Sequence, residues 1–286
     1  MSHTPVSRRA FLAGSAGAAL AITTAGVTAN AAGALLSAKK KAISPLVLSS
    51  DLYASPDPQR FVFAIARGAK FASFGPAEVA FAPPNSKDYT TLETDLYKEG
   101  LPKGRGIYVA EATFPEPGVW SAQAVLPKRA VPFAIQVKES PEAPVVGASA
   151  LTVPSPTRAD PLGVDPICTR SPMCPLHDVS LSDVIGTHPV AVMFATPALC
   201  ASQYCGPVLD ELLDVMGPYQ DRGVAIVHVE IYESNRGATL APTVEAWGLP
   251  SEPWLYTVDA AGVIQDRIDG AFATNEVTAA LDALVA

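Results

Sequence analysis

Charge is scarce in this chain. Only 17% of its 286 residues are Asp, Glu, Lys or Arg, and 20 basic residues face 28 acidic ones. A nucleic-acid binder needs a basic face for phosphates, so a net charge of −8 argues against that class. Aromatic residues are few, at 7%. Cysteine is limited to four, too few for a fold built on disulfides. Several catalytic signatures are missing: there is no G-x-S-x-G elbow, phosphate-binding loop or H-E-x-x-H pair. Beyond the first 31 residues, no apolar run reaches the ~18 residues of a membrane-spanning helix. What the chain does have is a 49% hydrophobic content and 27 prolines. The first is enough to build a core and argues against global disorder. The second implies many turns and at least one stiff linker. The length fits one large or two ordinary domains.

Residues 1–31 have the layout of an export address. Ser7-Arg8-Arg9-Ala10-Phe11-Leu12 opens an Ala-rich apolar run to about Val27, and Ala29-Asn30-Ala31 offers small residues for cleavage. The paired arginines before Phe-Leu resemble a twin-arginine signal, although Ala13 stands where a Lys is often found. The expectation is an exported, extracytoplasmic protein in the periplasm, the cell wall or the medium, with membrane contact only if the signal is retained. Removing these residues takes Arg8 and Arg9 and no acid, leaving 18 basic against 28 acidic residues, a net −10. Lys39-Lys40-Lys41 reads as a solvated stub.

Residues 45–138 have period-two patterning. Arg60–Arg67, Glu78–Phe81, Ile107–Phe114, Val119–Leu126 and Val131–Val137 read as strands separated by Pro/Gly turns. That predicts an all-β sandwich, immunoglobulin-like, without chemistry of its own. Pro132 places the last strand at an edge or a bend. Residues 139–166 carry six prolines and little periodicity, and predict a semi-extended linker; an ordered arm along one domain is the alternative.

From 167 to 286 the pattern becomes α/β. Val190–Ala195 and Val224–Ile231 are continuous apolar runs, as in strands buried on both faces. Gly206–Met216 has helical spacing, Thr243–Trp247 a short helix, and Asn275–Val285 an amphipathic one. Trp254–Val258 and Val263–Ile268 flank Asp259-Ala260-Ala261-Gly262, a hairpin turn.

Ahead of the first helix stands Phe194-Ala195-Thr196-Pro197-Ala198-Leu199-Cys200-Ala201-Ser202-Gln203-Tyr204-Cys205-Gly206-Pro207-Val208. A buried strand, Cys-Gly-Pro opening a helix, and a later Pro253 before a hairpin strand resemble the thioredoxin-like superfamily over residues 167–286. The order β-α-β-α-β-β-α agrees with that resemblance. It implies an α/β thioredoxin-like fold, a cis peptide at Pro253, and thiol–disulfide exchange without a cofactor. Pro253 and Trp254, with Gly206 and Pro207, would shape the surface on which a partner lies. The partners implied are exported proteins carrying thiols or disulfides. The sequence departs from the family at Val208, where the second cysteine usually sits; the partner lies upstream, as Cys200-x4-Cys205.

Physical chemistry supports a redox role for that pair. A thiol at a helix start is favoured as thiolate by free N–H groups and the helix dipole. Cys205 is therefore expected to attack, and Cys200, in the preceding loop, to resolve. A purely structural disulfide in a non-catalytic binding protein is the main alternative. Cys168-x5-Cys174 reads as a second disulfide or an electron relay; four cysteines permit three pairings, and spacing does not choose among them. Copper handling, as in Sco-type chaperones, would use Cys200, Cys205 and His177. His228 and Glu230 alternate onto one strand face, as a proton relay or as a hydrogen-bonded core pair.

Overall fold

The computed structural model describes residues 42–68, 70–101, 104–200, 204–237 and 239–286. The export address and Lys39-Lys40-Lys41 lie outside the described residues. The chain divides into two compact units, one mainly of residues up to Glu139 and the other mainly of Ser140–Ala286.

In the first unit, strands form where small, β-branched and aromatic residues alternate with polar ones. They are β1 (Ile43–Val47), β2 (Ser55–Arg67), β3 (Lys70–Ala72), β4 (Glu78–Ala82), β5 (Thr90–Glu93), β6 (Asp95–Tyr97), β7 (Ile107–Phe114), β8 (Gly118–Leu126) and β9 (Arg129–Val137). One sheet runs β1-β2-β7-β6, with β3 also on β2; the other runs β5-β4-β8-β9. Every strand pairing is antiparallel. Along β8, inward residues Trp120, Ala122, Ala124 and Leu126 are buried while their neighbours are partly exposed, the period-two signature of a half-buried strand. The two sheets share one core. Phe61 of β2 meets Phe81 of β4 edge-on at 5.0 Å. Phe114 of β7 meets Phe81 at 5.2 Å and Trp120 at 5.3 Å. The unit is thus a β-sandwich. Pro132 sits on β9, an edge strand whose outer side needs no N–H donor.

The second unit holds a four-stranded mixed sheet. Its strands are β10 (Val190–Ala195), β11 (Ala225–Glu230), β12 (Trp254–Val258) and β13 (Ile264–Asp269), in the order β11-β10-β12-β13. β10 runs parallel to β11 and antiparallel to β12, and β12 antiparallel to β13. All of β10 is buried, because both faces of the sheet are covered. The helices are α1 (Leu181–Val184), α2 (Cys205–Val215), α3 (Gly217–Gln220), α4 (Pro242–Trp247) and α5 (Thr274–Leu284). α2 packs on β10 and α5, and Thr274 of α5 bonds to the buried Glu211 carboxylate of α2. In the 259–262 turn, the Asp259 carboxylate accepts from the N–H groups of Ala261 and Val263, both at 2.9 Å.

Residues 139–166 correct the expectation of a linker. Ala143, Ala150 and Val164 are buried in the core of the second unit. Backbone bonds tie Gly147 and Ala150 to the β13 region, and Asp165 to Glu233. The prolines remove donors and fix extended backbone, but the small apolar residues between them still find a surface to cover. The segment is an ordered arm.

Candidate functional site

The first cysteine pair sits where β10 gives way to α2. After Ala195 the chain turns back: the Thr196 carbonyl accepts from the N–H groups of Leu199 and Cys200, at 3.2 and 3.1 Å. That turn places Cys200 beside the first residue of α2. Cys200 and Cys205 form a disulfide, with Cα atoms 5.9 Å apart. The Cys205 N–H points at the Cys200 sulfur, 3.3 Å away, as an unsatisfied donor at a helix start does. Pro207 is tolerated in the first turn, where its missing N–H costs no helical bond. Cys205 is fully buried, whereas Cys200 is partly exposed, as are Gly206 and Pro207.

Opposite the pair, the Glu252–Pro253 peptide is cis. The Glu252 carboxylate lies within 4.8 Å of both sulfurs. Sequence patterning missed Glu252; its only mark was its place directly before Pro253. Trp254 departs from expectation. It is fully buried, with its indole N–H donated to the Ser251 carbonyl at 3.0 Å and its ring stacked on Tyr256 at 5.8 Å. It belongs to the core, so any partner surface is made without it.

The second pair does not form a disulfide. Cys168 and Cys174 are free, with sulfurs 3.8 Å apart. Two histidines meet them. His177 Nε2 is 3.2 Å from the Cys174 sulfur; His228 Nδ1 is 3.4 Å from Cys174, 3.8 Å from Cys168 and 3.2 Å from His177 Nε2. All four residues are buried, and their donor atoms lie within 4.8 Å of one another. Cys168 is held well below the ordinary thiol range, first by the hydrogen bond from Cys174 and further by the two histidines. Cys174 is pushed up, first by donating to Cys168 and then by burial.

Two expectations are corrected here. His177 stands with Cys168 and Cys174, so Cys200, Cys205 and His177 do not make a metal set; the residue beside the disulfide is Glu252. The proton-relay reading of His228 also fails on geometry, since its Nε2 donates to the Ala195 carbonyl at 3.1 Å while its Nδ1 faces the second cluster. Glu230 lies next to it on β11, buried, accepting from the Thr169 N–H at 2.8 Å; burial pushes its carboxyl above the usual range. Thr169 in turn accepts from the Ala198 N–H at 3.1 Å, and Arg170 pairs with Asp210 of α2 at 2.8 Å. The Cys168–Cys174 loop is therefore bonded both to the turn before Cys200 and to the helix after Cys205.

No family model and no curated protein matches this chain. Among solved structures, the filamin domain of Lin-41 is similar over 35% of this chain and 96% of that one, at 8% identity and a TM-score of 0.25.

Proposed function

We propose that this chain is an exported thiol–disulfide exchange protein whose working bond is Cys200–Cys205, carried on a thioredoxin-like unit. The observation that carries the reading is the disulfide at the start of α2, with one sulfur partly exposed and the other buried at the helix end. A partner thiolate attacks the Cys200 sulfur; a mixed disulfide forms and Cys205 leaves as thiolate, favoured by the helix N-terminus. A second partner thiolate then attacks the partner sulfur of the mixed disulfide and releases Cys200. The partner gains a disulfide, the pair gains two electrons, and the two partner protons are available to the pair, with the Glu252 carboxylate near enough to pass one. Run backwards, Cys200 is the attacking thiolate and Cys205 resolves. These roles are the reverse of those expected from the sequence, because access rather than helix position decides which sulfur a partner reaches. Export rests on the twin-arginine-like start, and a disulfide persists in such a compartment. No helix among the described residues is long and apolar enough to cross a membrane, which says nothing of a β-barrel. The sandwich is assigned to docking partners or holding the active unit.

Thiol trapping across a redox-buffer series tests the proposal. The pair should cycle, and Cys205→Ser should accumulate mixed disulfides through Cys200, while Cys200→Ser should not. A pair that stays oxidised in the native protein under strong reductant, or two serine variants that exchange at the full rate, would overturn it.

A further inference from the structure

We propose that Cys168, Cys174, His177 and His228 form a closed Zn2+ site. The inference stands on the geometry of these four residues and is independent of the exchange reading of Cys200–Cys205. Zinc takes thiolate sulfur at about 2.3 Å and imidazole nitrogen at about 2.0–2.1 Å in a tetrahedron. The edges of such a tetrahedron are about 3.8 Å between sulfurs, about 3.5 Å between sulfur and nitrogen, and about 3.3 Å between nitrogens. The corresponding separations here are 3.8 Å for the sulfurs, 3.2, 3.4 and 3.8 Å for sulfur to nitrogen, and 3.2 Å for the nitrogens. Four donor atoms from two chain segments, Cys168–His177 and β11, thus surround one point at the spacing that one ion would set.

The surroundings fit the same reading. His228 gives its Nε2–H to the Ala195 carbonyl, so the nitrogen facing the cluster is the lone pair, as a metal ligand requires. The Cys168–His177 segment is locked to the sheet at both ends: Thr169 N–H on Glu230, and the His228 N–H on the Leu176 carbonyl at 3.0 Å. Two thiolates and one divalent zinc carry no net charge, so the set can be buried without an unpaired ion. All four positions are filled by protein, which makes the site structural rather than catalytic. Two thiolates and two imidazoles suit zinc better than the oxygen-seeking Mg2+ or Ca2+. Bound zinc would also keep Cys168 and Cys174 from exchanging with the nearby Cys200–Cys205 disulfide.

The test is metal content of the full chain, prepared without a histidine tag and passed through gel filtration, with Co2+ substitution as a second readout. One zinc per chain is expected, and Co2+ should give the sulfur charge-transfer and intense visible bands of a tetrahedral site. Cys168→Ser and His228→Ala should retain under about a tenth of an equivalent, while His177→Cys, which keeps four ligands, should bind again. Cys200→Ser together with Cys205→Ser should still hold one zinc, which separates this site from the exchange couple. Three results would overturn the proposal: a wild-type chain from zinc-replete growth with no bound metal, Cys168 joined to Cys174 as a disulfide in that preparation, or copper or iron in place of zinc.

Discussion

At the residue scale, a change of environment is what gives a common side chain an uncommon property. Asp266 on β13 accepts from the Thr257 hydroxyl at 3.3 Å, yet burial outweighs that bond and lifts its carboxyl above the usual Asp range. The folded chain therefore holds this proton more tightly than the unfolded one. The stability drawn from the difference is complete below the ordinary Asp range and is lost as pH rises through the raised value. Asp266→Asn should remove that part of the curve and leave stability equal or higher at neutral pH, read by urea unfolding from about pH 4 to 7. Glycine gives a sharper contrast. Gly248 caps α4 at φ +64°, and a Cβ there would meet the Glu142 carbonyl oxygen at 2.8 Å. Gly248→Ala should cost about 1–3 kcal/mol. Gly206, in the first turn of α2, has nothing within 4 Å of the same position. Gly206→Ala should be neutral or stabilising by up to about 1 kcal/mol, measured in the same denaturation series.

At the element scale, periodicity made the main strands and helices legible. β10 spans the expected Val190–Ala195, and α2, α4 and α5 fall within a residue of expectation at each end. The short strands β1, β3, β5 and β6 and the one-turn helices α1 and α3 have no periodic signal in the sequence. Elements this short carry too few residues to show a period, and their pairing comes from neighbours rather than from their own sequence. The sandwich has no cysteine, so its aromatic core must hold it. Phe61 is fully buried among Phe63, Phe81 and Phe133. Phe61→Ala should destabilise this unit by about 3–5 kcal/mol, seen as an earlier thermal transition. An unchanged transition would mean that the unit is held by something other than this cluster.

At the scale of the whole molecule, all four cysteines belong to one of the two units. Reductant should therefore shift only one of two unfolding transitions in calorimetry, the one that Phe61→Ala leaves in place. The shift should be modest, since closing so short a loop between Cys200 and Cys205 is worth about 2 kcal/mol in the chain-entropy estimate. Local patterning was enough to read a strand-built sandwich followed by a unit of mixed strands and helices, with Cys205 at a helix start, because each of these is a property of a short stretch of chain. It did not determine that residues 139–166 pack as an arm, that Trp254 is core, or that Cys200 is the accessible sulfur. Nor did it bring His177 and His228 to Cys168 and Cys174. His228 lies 54 residues from Cys174, and no pattern within a strand or loop encodes a meeting across that distance. Only the packing of the Cys168–His177 segment against β11 decides it, because burial and convergence are properties of the folded chain and not of any stretch of it.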